Sequence, residues 1–114
     1  MTQSKTALCN YISEEWGRET VEFDYGFYSY RFFKETGEFL IGDLYIVPER
    51  RGMKLGIVLA KAIEKNARDM GATHLSCVVT VKPSATRLIK GYTLFGFNIA
   101  AADNGQIIMI KELN

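Results

Sequence analysis

Histidine and cysteine are scarce in this chain of 114 residues, which holds one histidine and two cysteines. A single histidine, His74, provides no cluster of metal ligands, so we expect no metal site and a place for His74 at the start of a strand. Cys9 and Cys77 lack C-x-x-C spacing, and the apolar run around Cys77 predicts a small core residue there. Two free thiols are typical of a cytoplasmic protein.

A long apolar segment and an excess of one charge are also missing. No run approaches the roughly 20 apolar residues that span a bilayer, and the start of the chain does not have the pattern of a signal peptide. Fourteen basic and thirteen acidic residues give a net charge of +1, which does not favour a membrane or general nucleic-acid binder. Because 47% of the residues are hydrophobic, we expect one folded domain over residues 1–114.

Hydrophobic periodicity and turn residues divide the chain into helices, strands and hairpins. The predicted elements, in order, are a helix from Thr2 to about Gly17, a strand Thr20 to Phe33 with a bulge or bend at Gly26, a turn Lys34 to Gly37, a strand Glu38 to Val47, a helix Gly52 to about Met70, a strand His74 to Val81, a helix from Ser84 to about Tyr92, and a hairpin of Phe97 to Ala101 with Gln106 to Ile110. The strand–helix–strand order predicts a right-handed parallel crossover. The fold class is therefore α/β, with one parallel strand pair and antiparallel flanks.

The connection between the crossover strand and its helix is the most informative part of the sequence. A helix start offers unpaired N–H donors and a partial positive charge, which together favour a phosphate. Arg51 and Lys54 add full positive charge there, and Gly52 and Gly56 let a ligand approach the backbone closely. The simpler alternative is a strand-to-helix connection whose basic side chains are only solvated.

The same segment resembles the acyl-CoA loop of the GNAT acetyltransferase superfamily. Relatives typically read D-L-Y-V-x-P-E-Y-R-G-K-G-I-G-x-x-L, and the matching residues here are Asp43, Leu44, Tyr45, Ile46, Pro48, Glu49, Arg51, Gly52 and Gly56. The signature R-x-x-G-x-G has a glycine where this chain has Lys54, whose side chain either crowds the pyrophosphate or contacts it. A second resemblance, to N-x-x-A-x-x-L-Y-x-x-x-G-F, rests on Tyr92, Gly96 and Phe97, and the asparagine of that motif is absent.

The resemblance implies a GNAT-like fold (α+β; a mixed, mostly antiparallel central sheet with flanking helices) and an acyl-CoA site. In this family the two parallel strands splay apart and the pantetheine arm pairs with the first of them. By resemblance, the cofactor-binding residues are Leu44, Tyr45, Ile46 and Val47 along the arm, and Arg51, Gly52, Met53, Lys54, Leu55 and Gly56 at the pyrophosphate. A backbone N–H near Ile46 would stabilise the oxyanion, and Tyr92 would protonate the departing thiolate.

The general base is the least defined part of the expected site. Many relatives carry glutamate immediately before the aspartate of the D-L-Y motif, where this chain has Gly42. The remaining candidates are Asp43, Glu38 and Tyr45, acting directly or through water. Each of these residues also has an ordinary structural explanation as a strand-end, turn-flanking or sheet residue.

The resemblance implies an acetyl-CoA-dependent N-acetyltransferase that uses acetyl-CoA as cosubstrate and acetylates a primary amine of a small molecule or protein. The alternative is a catalytically inactive GNAT-fold protein that binds CoA or a protein partner, of the kind that phages encode. A nucleic-acid-binding face is a third reading, but Glu49, Glu64 and Asp69 interrupt it. An apolar strand from Gln106 to Ile110 would be an exposed edge, which predicts a homodimer through the C-terminal hairpin.

Overall fold

The computed structural model describes residues 7, 14, 17–51 and 54–113. Ala7 and Glu14 are helical, and the rest of the predicted N-terminal helix lies outside the described residues, as do Cys9, Gly52 and Met53. The strands are β1 (Glu19–Phe23), β2 (Gly26–Phe33), β3 (Glu38–Ile46), β4 (His74–Thr80), β5 (Asn98–Asp103) and β6 (Gln106–Glu112), and the helices are a 3-10 turn (Pro48–Arg50), α1 (Leu55–Asp69) and α2 (Ala85–Leu94).

The six strands form one sheet in the order β1-β2-β3-β4-β6-β5. Neighbouring strands are antiparallel except β3 and β4, which are parallel and are joined by α1. A parallel pair needs a crossover connection of this kind, because two strands that run in the same direction cannot be joined by a tight turn. The mixed, mostly antiparallel sheet with a single parallel pair confirms the predicted fold class.

The predicted single strand from Thr20 to Phe33 is wrong, because the segment is a hairpin of β1 and β2. Asp24 and Tyr25 form a two-residue turn between the paired residues Phe23 and Gly26. The run of aromatic residues hides this turn, since every residue but Asp24 and Gly26 around it favours strand structure. Gly26 is required for a different reason: a Cβ atom there would lie 1.9 Å from the carbonyl oxygen of Tyr45 on β3.

Helix α1 packs on the sheet through the apolar stripe that its spacing predicts. Leu59, Ile63 and Ala67 are buried and recur every four residues, so they lie on one face of the helix. The Asn66 side-chain amide, on the adjoining part of this face, donates a hydrogen bond of 2.9 Å to the hydroxyl of Tyr28 on β2. Gly71 ends the segment with a φ of 87°, in agreement with its predicted role as a helix stop.

The C-terminal hairpin is confirmed, but its order in the sheet differs from the expectation. Strand β6 lies between β4 and β5, so β5 is the edge strand and Gln106–Glu112 is covered on both sides. Asn104 and Gly105 both have positive φ in the turn, as a two-residue hairpin loop requires. All six residues of β5 are exposed.

Candidate functional site

The two parallel strands separate halfway along their length. Pairing between β3 and β4 ends at Ile41 and Cys77, whereas β3 continues to Ile46 and β4 to Thr80. Over this second half β4 pairs only with β6, and the edge of β3 that faces β4 has no strand partner within the described part of the chain. Leu44 of β3 and Val78 of β4 are 41% and 46% exposed in this part of the strands, and the backbone edge of β3 is free for an extended ligand.

A β-bulge marks the point where the strands separate. Ser29 of β2 lies opposite two residues of β3, Gly42 and Asp43, because the register shifts between Tyr28 and Tyr30. The Asp43 backbone N–H donates a hydrogen bond of 2.7 Å to the Ser29 Oγ. A bulge bends the strand and changes which residues face each side. As a result, Leu44 and Ile46 lie on the same side of the strand as Ile41, and all three line the cavity described below.

The side chain of Asp43 belongs to a small polar cluster beside the bulge. Its Oδ2 accepts a hydrogen bond of 3.3 Å from the Ser29 hydroxyl and lies 3.4 Å from the Nη1 atom of Arg18. The carboxylate is about half exposed, so it can reach a ligand or a water molecule. Sequence reasoning missed Arg18 and Ser29, since nothing in the sequence indicates a contact between Arg18 and a residue 25 positions away.

Gly42 lies at the β-bulge, beside Ser29 and Arg18. A Cβ atom at Gly42 would lie 2.6 Å from the Ser29 Oγ and 2.9 Å from the Arg18 Nη1. The Arg18 side chain therefore fills the space next to this backbone position, and any side chain at residue 42 would displace it.

Two basic side chains at the end of β3 contact the strand and its aromatic residues. The Arg51 Nε donates a hydrogen bond of 2.8 Å to the Ile46 carbonyl, and its guanidinium lies 5.4 Å from the ring centre of Tyr45. The Arg50 guanidinium lies 5.7 Å from the ring centre of Tyr25. Arg51 keeps further N–H groups for a ligand, because a guanidinium has five.

Lys54 has an unusual backbone conformation for a residue with a side chain. It precedes α1 with φ 62° and ψ 11°, which is the left-handed region, and its side chain is exposed. Among the described residues, no side chain caps this end of α1, and the first turn contains no acidic residue. The helix start therefore presents backbone N–H groups and the Lys54 ammonium, both favourable for an anion.

A cavity of about 170 Å³ lies between α1 and α2 on one face of the sheet. Its lining includes Gly56 at the helix start, Ile41 and Ile46 of β3, Tyr92 of α2 and Lys111 of β6. Its wall is almost wholly apolar. The Lys111 ammonium lies 2.6 Å from a Glu64 carboxylate oxygen, and this contact lowers the pKa of the Glu64 carboxyl.

Tyr92 lines the cavity from α2 and reaches the point where β3 and β4 separate, which we call the base of the splay. Its phenol interacts with the thiol of Cys77, the last β4 residue paired with β3, and its ring packs edge-on against Phe97 at 5.1 Å. Burial raises the pKa of Tyr92 above its ordinary value, with a smaller contribution from Cys77. Burial also raises the pKa of the Cys77 thiol to about 11, so both groups are protonated at neutral pH.

The other expected site residues lie in different surroundings. Glu38 lies opposite His74 at the start of the parallel pair and accepts a hydrogen bond from the Ser76 hydroxyl. Four strand residues, roughly 13 Å, separate Glu38 from the bulge. Gly52 and Met53 lie outside the described residues. Over residues 7, 14, 17–51 and 54–113, no group of three or more His, Cys, Asp or Glu could hold a metal ion, and none of the helices is long and apolar enough to cross a membrane.

Comparison with known proteins identifies the family. Residues 13–97 match the acetyltransferase (GNAT) family, which is more than half of the chain, so this protein belongs to the GNAT acetyltransferase family. No curated protein matches the sequence.

Solved structures show the same fold at low sequence identity. PaiA N-acetyltransferase from Thermoplasma acidophilum, crystallised with coenzyme A, is 22% identical with a TM-score of 0.69 over 78% of this chain and 54% of that one. A GNAT acetyltransferase from Elizabethkingia anophelis with acetyl-CoA bound is 16% identical, with a TM-score of 0.72 over 91% and 82%. Ard1 from Thermoplasma volcanium is 20% identical, with a TM-score of 0.73 over 100% and 84%. This chain thus spans about half the length of the PaiA protein.

Proposed function

We propose that this protein is an acetyl-CoA-dependent N-acetyltransferase that acetylates a primary amine of a small molecule or protein. The observation that carries this proposal is the splay between β3 and β4, next to an apolar cavity between α1 and α2. A pantetheine arm is an extended chain with amide groups, so it can pair with the open edge of Gly42–Ile46 as an added strand would. The CoA-bound relatives support acetyl-CoA as the cosubstrate.

The pyrophosphate of the cofactor would lie at the start of α1. The uncapped N–H groups of the first turn and the Lys54 ammonium supply positive potential there, and Arg51 lies at the adjoining end of β3. Gly56 has open space above its Cα atom, with no described atom within 4 Å of a Cβ position. An anion can therefore approach the helix backbone closely.

The transfer step would take place at the base of the splay. The amine attacks the thioester carbonyl, the C–S bond breaks, and the CoA thiolate accepts a proton from Tyr92. Burial raises the pKa of Tyr92 and keeps the phenol protonated at neutral pH, which is the form that a proton donor must have. Holding both reactants in one cleft supplies the orientation that a reaction between two free molecules lacks.

Asp43 is our candidate for the base that removes the proton from the attacking amine. Its carboxylate lies beside the bulge and is about half exposed, so it can act on an amine or through one water molecule. Glu38 lies at the opposite end of the parallel pair and is bonded to Ser76, a position that favours a structural role. The Tyr45 ring contacts Arg51 and Phe27, which favours a packing role.

Release of free CoA thiol from acetyl-CoA in the presence of a panel of primary amines tests this proposal. We expect Tyr92→Phe to lower kcat by about 100-fold, at the lower end of the range for a general acid, with little change in the KM for acetyl-CoA. Asp43→Asn should also lower kcat by about 100-fold, because an amide cannot accept the proton of the amine. Lys61→Gln, on an exposed part of α1, is the control and should leave turnover unchanged.

The second candidate function is CoA binding without transfer. It is favoured by the Asp43 cluster, because Arg18 and Ser29 hold the carboxylate and the space at Gly42 is filled. In that case the protein would bind acetyl-CoA but release no thiol with any amine of the panel. A protein that binds neither CoA nor acetyl-CoA would contradict both candidates.

A further inference from the structure

One buried hydroxyl holds the backbone of the β-bulge. Ser29 of β2 is 0% exposed and lies opposite two residues of β3, Gly42 and Asp43. A bulge leaves its extra residue out of the regular backbone ladder. The Ser29 Oγ supplies an acceptor at this point, since the Asp43 backbone N–H donates a hydrogen bond of 2.7 Å to it.

The same hydroxyl also contacts the side chain of Asp43. It donates a hydrogen bond of 3.3 Å to Oδ2, and the Nη1 atom of Arg18 lies 3.4 Å from the same oxygen. A serine hydroxyl has one hydrogen and two lone pairs, so Ser29 can accept from the backbone and donate to the carboxylate at once. The second carboxylate oxygen, Oδ1, has no hydrogen-bond partner among the described residues. The carboxylate is therefore held at one oxygen and open at the other.

A neighbouring buried hydroxyl makes neither contact. Thr20 of β1 is paired with Ser29 and is 5% exposed, but its Oγ1 has no hydrogen-bond partner within the described part of the chain. Burial in this part of the sheet does not by itself give a hydroxyl a partner. The two hydrogen bonds of Ser29 thus come from its place opposite the bulge.

We propose that Ser29 is a positioning residue for the proposed base: it fixes Oδ2 of Asp43 and leaves Oδ1 to accept the amine proton. The inference rests on the acetyl transfer proposed above and adds a residue to it. In that step the amine nitrogen bonds to the acetyl carbon, the amine proton passes to Oδ1, and the C–S bond breaks with its electron pair on sulfur. The thiolate then takes its proton from Tyr92. Because Ser29 is fully buried, it acts through Asp43 and not on a reactant. A carboxylate already held at one oxygen loses less freedom when it meets the amine.

A double-mutant cycle on kcat, measured as release of CoA thiol from acetyl-CoA with the amine panel, tests this role. Ser29→Ala should lower kcat about tenfold with little change in the KM for acetyl-CoA. This loss is smaller than the effect of Asp43→Asn because Arg18 still contacts Oδ2. In the Asp43→Asn background, Ser29→Ala should change kcat less than about twofold, since no base is left to position. The matched control is Thr20→Val, which removes the neighbouring hydroxyl and should leave kcat unchanged.

Urea unfolding of the same variants separates positioning from a general loss of structure. Ser29→Ala leaves the Asp43 backbone N–H without its acceptor, so the unfolding midpoint should fall in both the wild-type and the Asp43→Asn backgrounds. The loss of kcat should appear in the wild-type background alone. A purely structural role predicts that kcat falls by the same factor in both.

The outcomes separate this inference from the function on which it rests. No thiol release by the wild type with any amine would contradict the acetyl transfer, and with it the role of Ser29. Turnover that falls with Asp43→Asn but not with Ser29→Ala would overturn the role of Ser29 alone, as would a tenfold loss that persists in the Asp43→Asn background. If Ser29→Ala fails to fold, Ser29→Cys fills a similar space with a weakly hydrogen-bonding thiol and should lower kcat in the same pattern, and an unchanged kcat would overturn the proposal.

Discussion

Replacing Lys54 by glycine should stabilise the protein, because Lys54 has a left-handed backbone conformation at φ 62°. A side chain in this region costs about 1–2 kcal/mol relative to the right-handed region. Glycine removes that cost, but its greater conformational freedom stabilises the unfolded chain by about 0.4–1 kcal/mol. The net gain in the free energy of unfolding is therefore about 0.5–1 kcal/mol, or roughly 2–4 °C in Tm for a domain of this size.

Thermal unfolding of Lys54→Gly and Lys54→Ala, followed by circular dichroism, measures this effect. Alanine removes the ammonium but keeps a Cβ atom, so Lys54→Ala should unfold within about 0.5 kcal/mol of the wild type. Stabilisation by glycine alone would identify the backbone as its source. A Lys54→Gly variant that unfolds at or below the temperature of Lys54→Ala would refute the left-handed conformation.

Three further predictions concern packing, pH and assembly. Gly26→Ala should cost about 3 kcal/mol or more, measured by urea unfolding, because the new Cβ would lie 1.9 Å from the Tyr45 carbonyl oxygen. The pKa of the Cys77 thiol is about 11 in the folded protein, above its unfolded value of 9.0. This difference contributes about 2–3 kcal/mol to the free energy of unfolding below pH 9, and the contribution is lost as the pH rises towards 11. Cys77→Ala should therefore lose less stability across that interval than the wild type. If the exposed edge strand β5 pairs with a second copy, Ile99→Lys should convert a dimer to a monomer in light scattering.

Each of these predictions has a control and a contrary result. The control is Gly91→Ala, because Gly91 lies in α2 and no described atom is within 4 Å of its Cβ position. This change should stabilise the helix by up to about 1 kcal/mol. Equal effects of alanine at Gly26 and at Gly91 would contradict the close approach of β3 to Gly26. An identical alkaline loss in Cys77→Ala would assign the pH dependence to other groups. Ile99→Val should preserve any dimer, and a wild-type monomer at high concentration would exclude assembly through β5.

The elements with strong periodicity or special turn residues were predictable from the sequence. The stripe of Leu59, Ile63 and Ala67 identifies α1, and Gly71 identifies its end. The β1–β2 hairpin was not predicted, since Asp24 and Gly26 are isolated turn residues within a run of aromatic residues that favour a strand. The order of β5 and β6 was also hidden, because a hairpin pattern does not say which of its strands meets the rest of the sheet.

The sequence names candidate site residues where the signal is local and misses contacts where it is not. The loop before α1 has a contiguous pattern, so Arg51, Lys54 and Gly56 were named from the sequence. The Tyr92–Cys77 contact and the Arg18–Asp43 pair join residues 15 and 25 positions apart. No periodic or spacing rule covers such contacts, which depend on the register of the sheet.

A thermal melt with and without acetyl-CoA tests the acyl-CoA site most directly. At about 100 times the dissociation constant, binding to the folded state adds ~2.7 kcal/mol, which is roughly ten degrees in Tm for this domain. We expect this shift in the wild type and in Val58→Leu, an exposed neighbour on α1. Gly56→Leu, whose Cβ would meet no described atom within 4 Å and whose side chain would cover the helix start, should lose it. The absence of a shift in the wild type, or an equal shift in Gly56→Leu, would contradict the site.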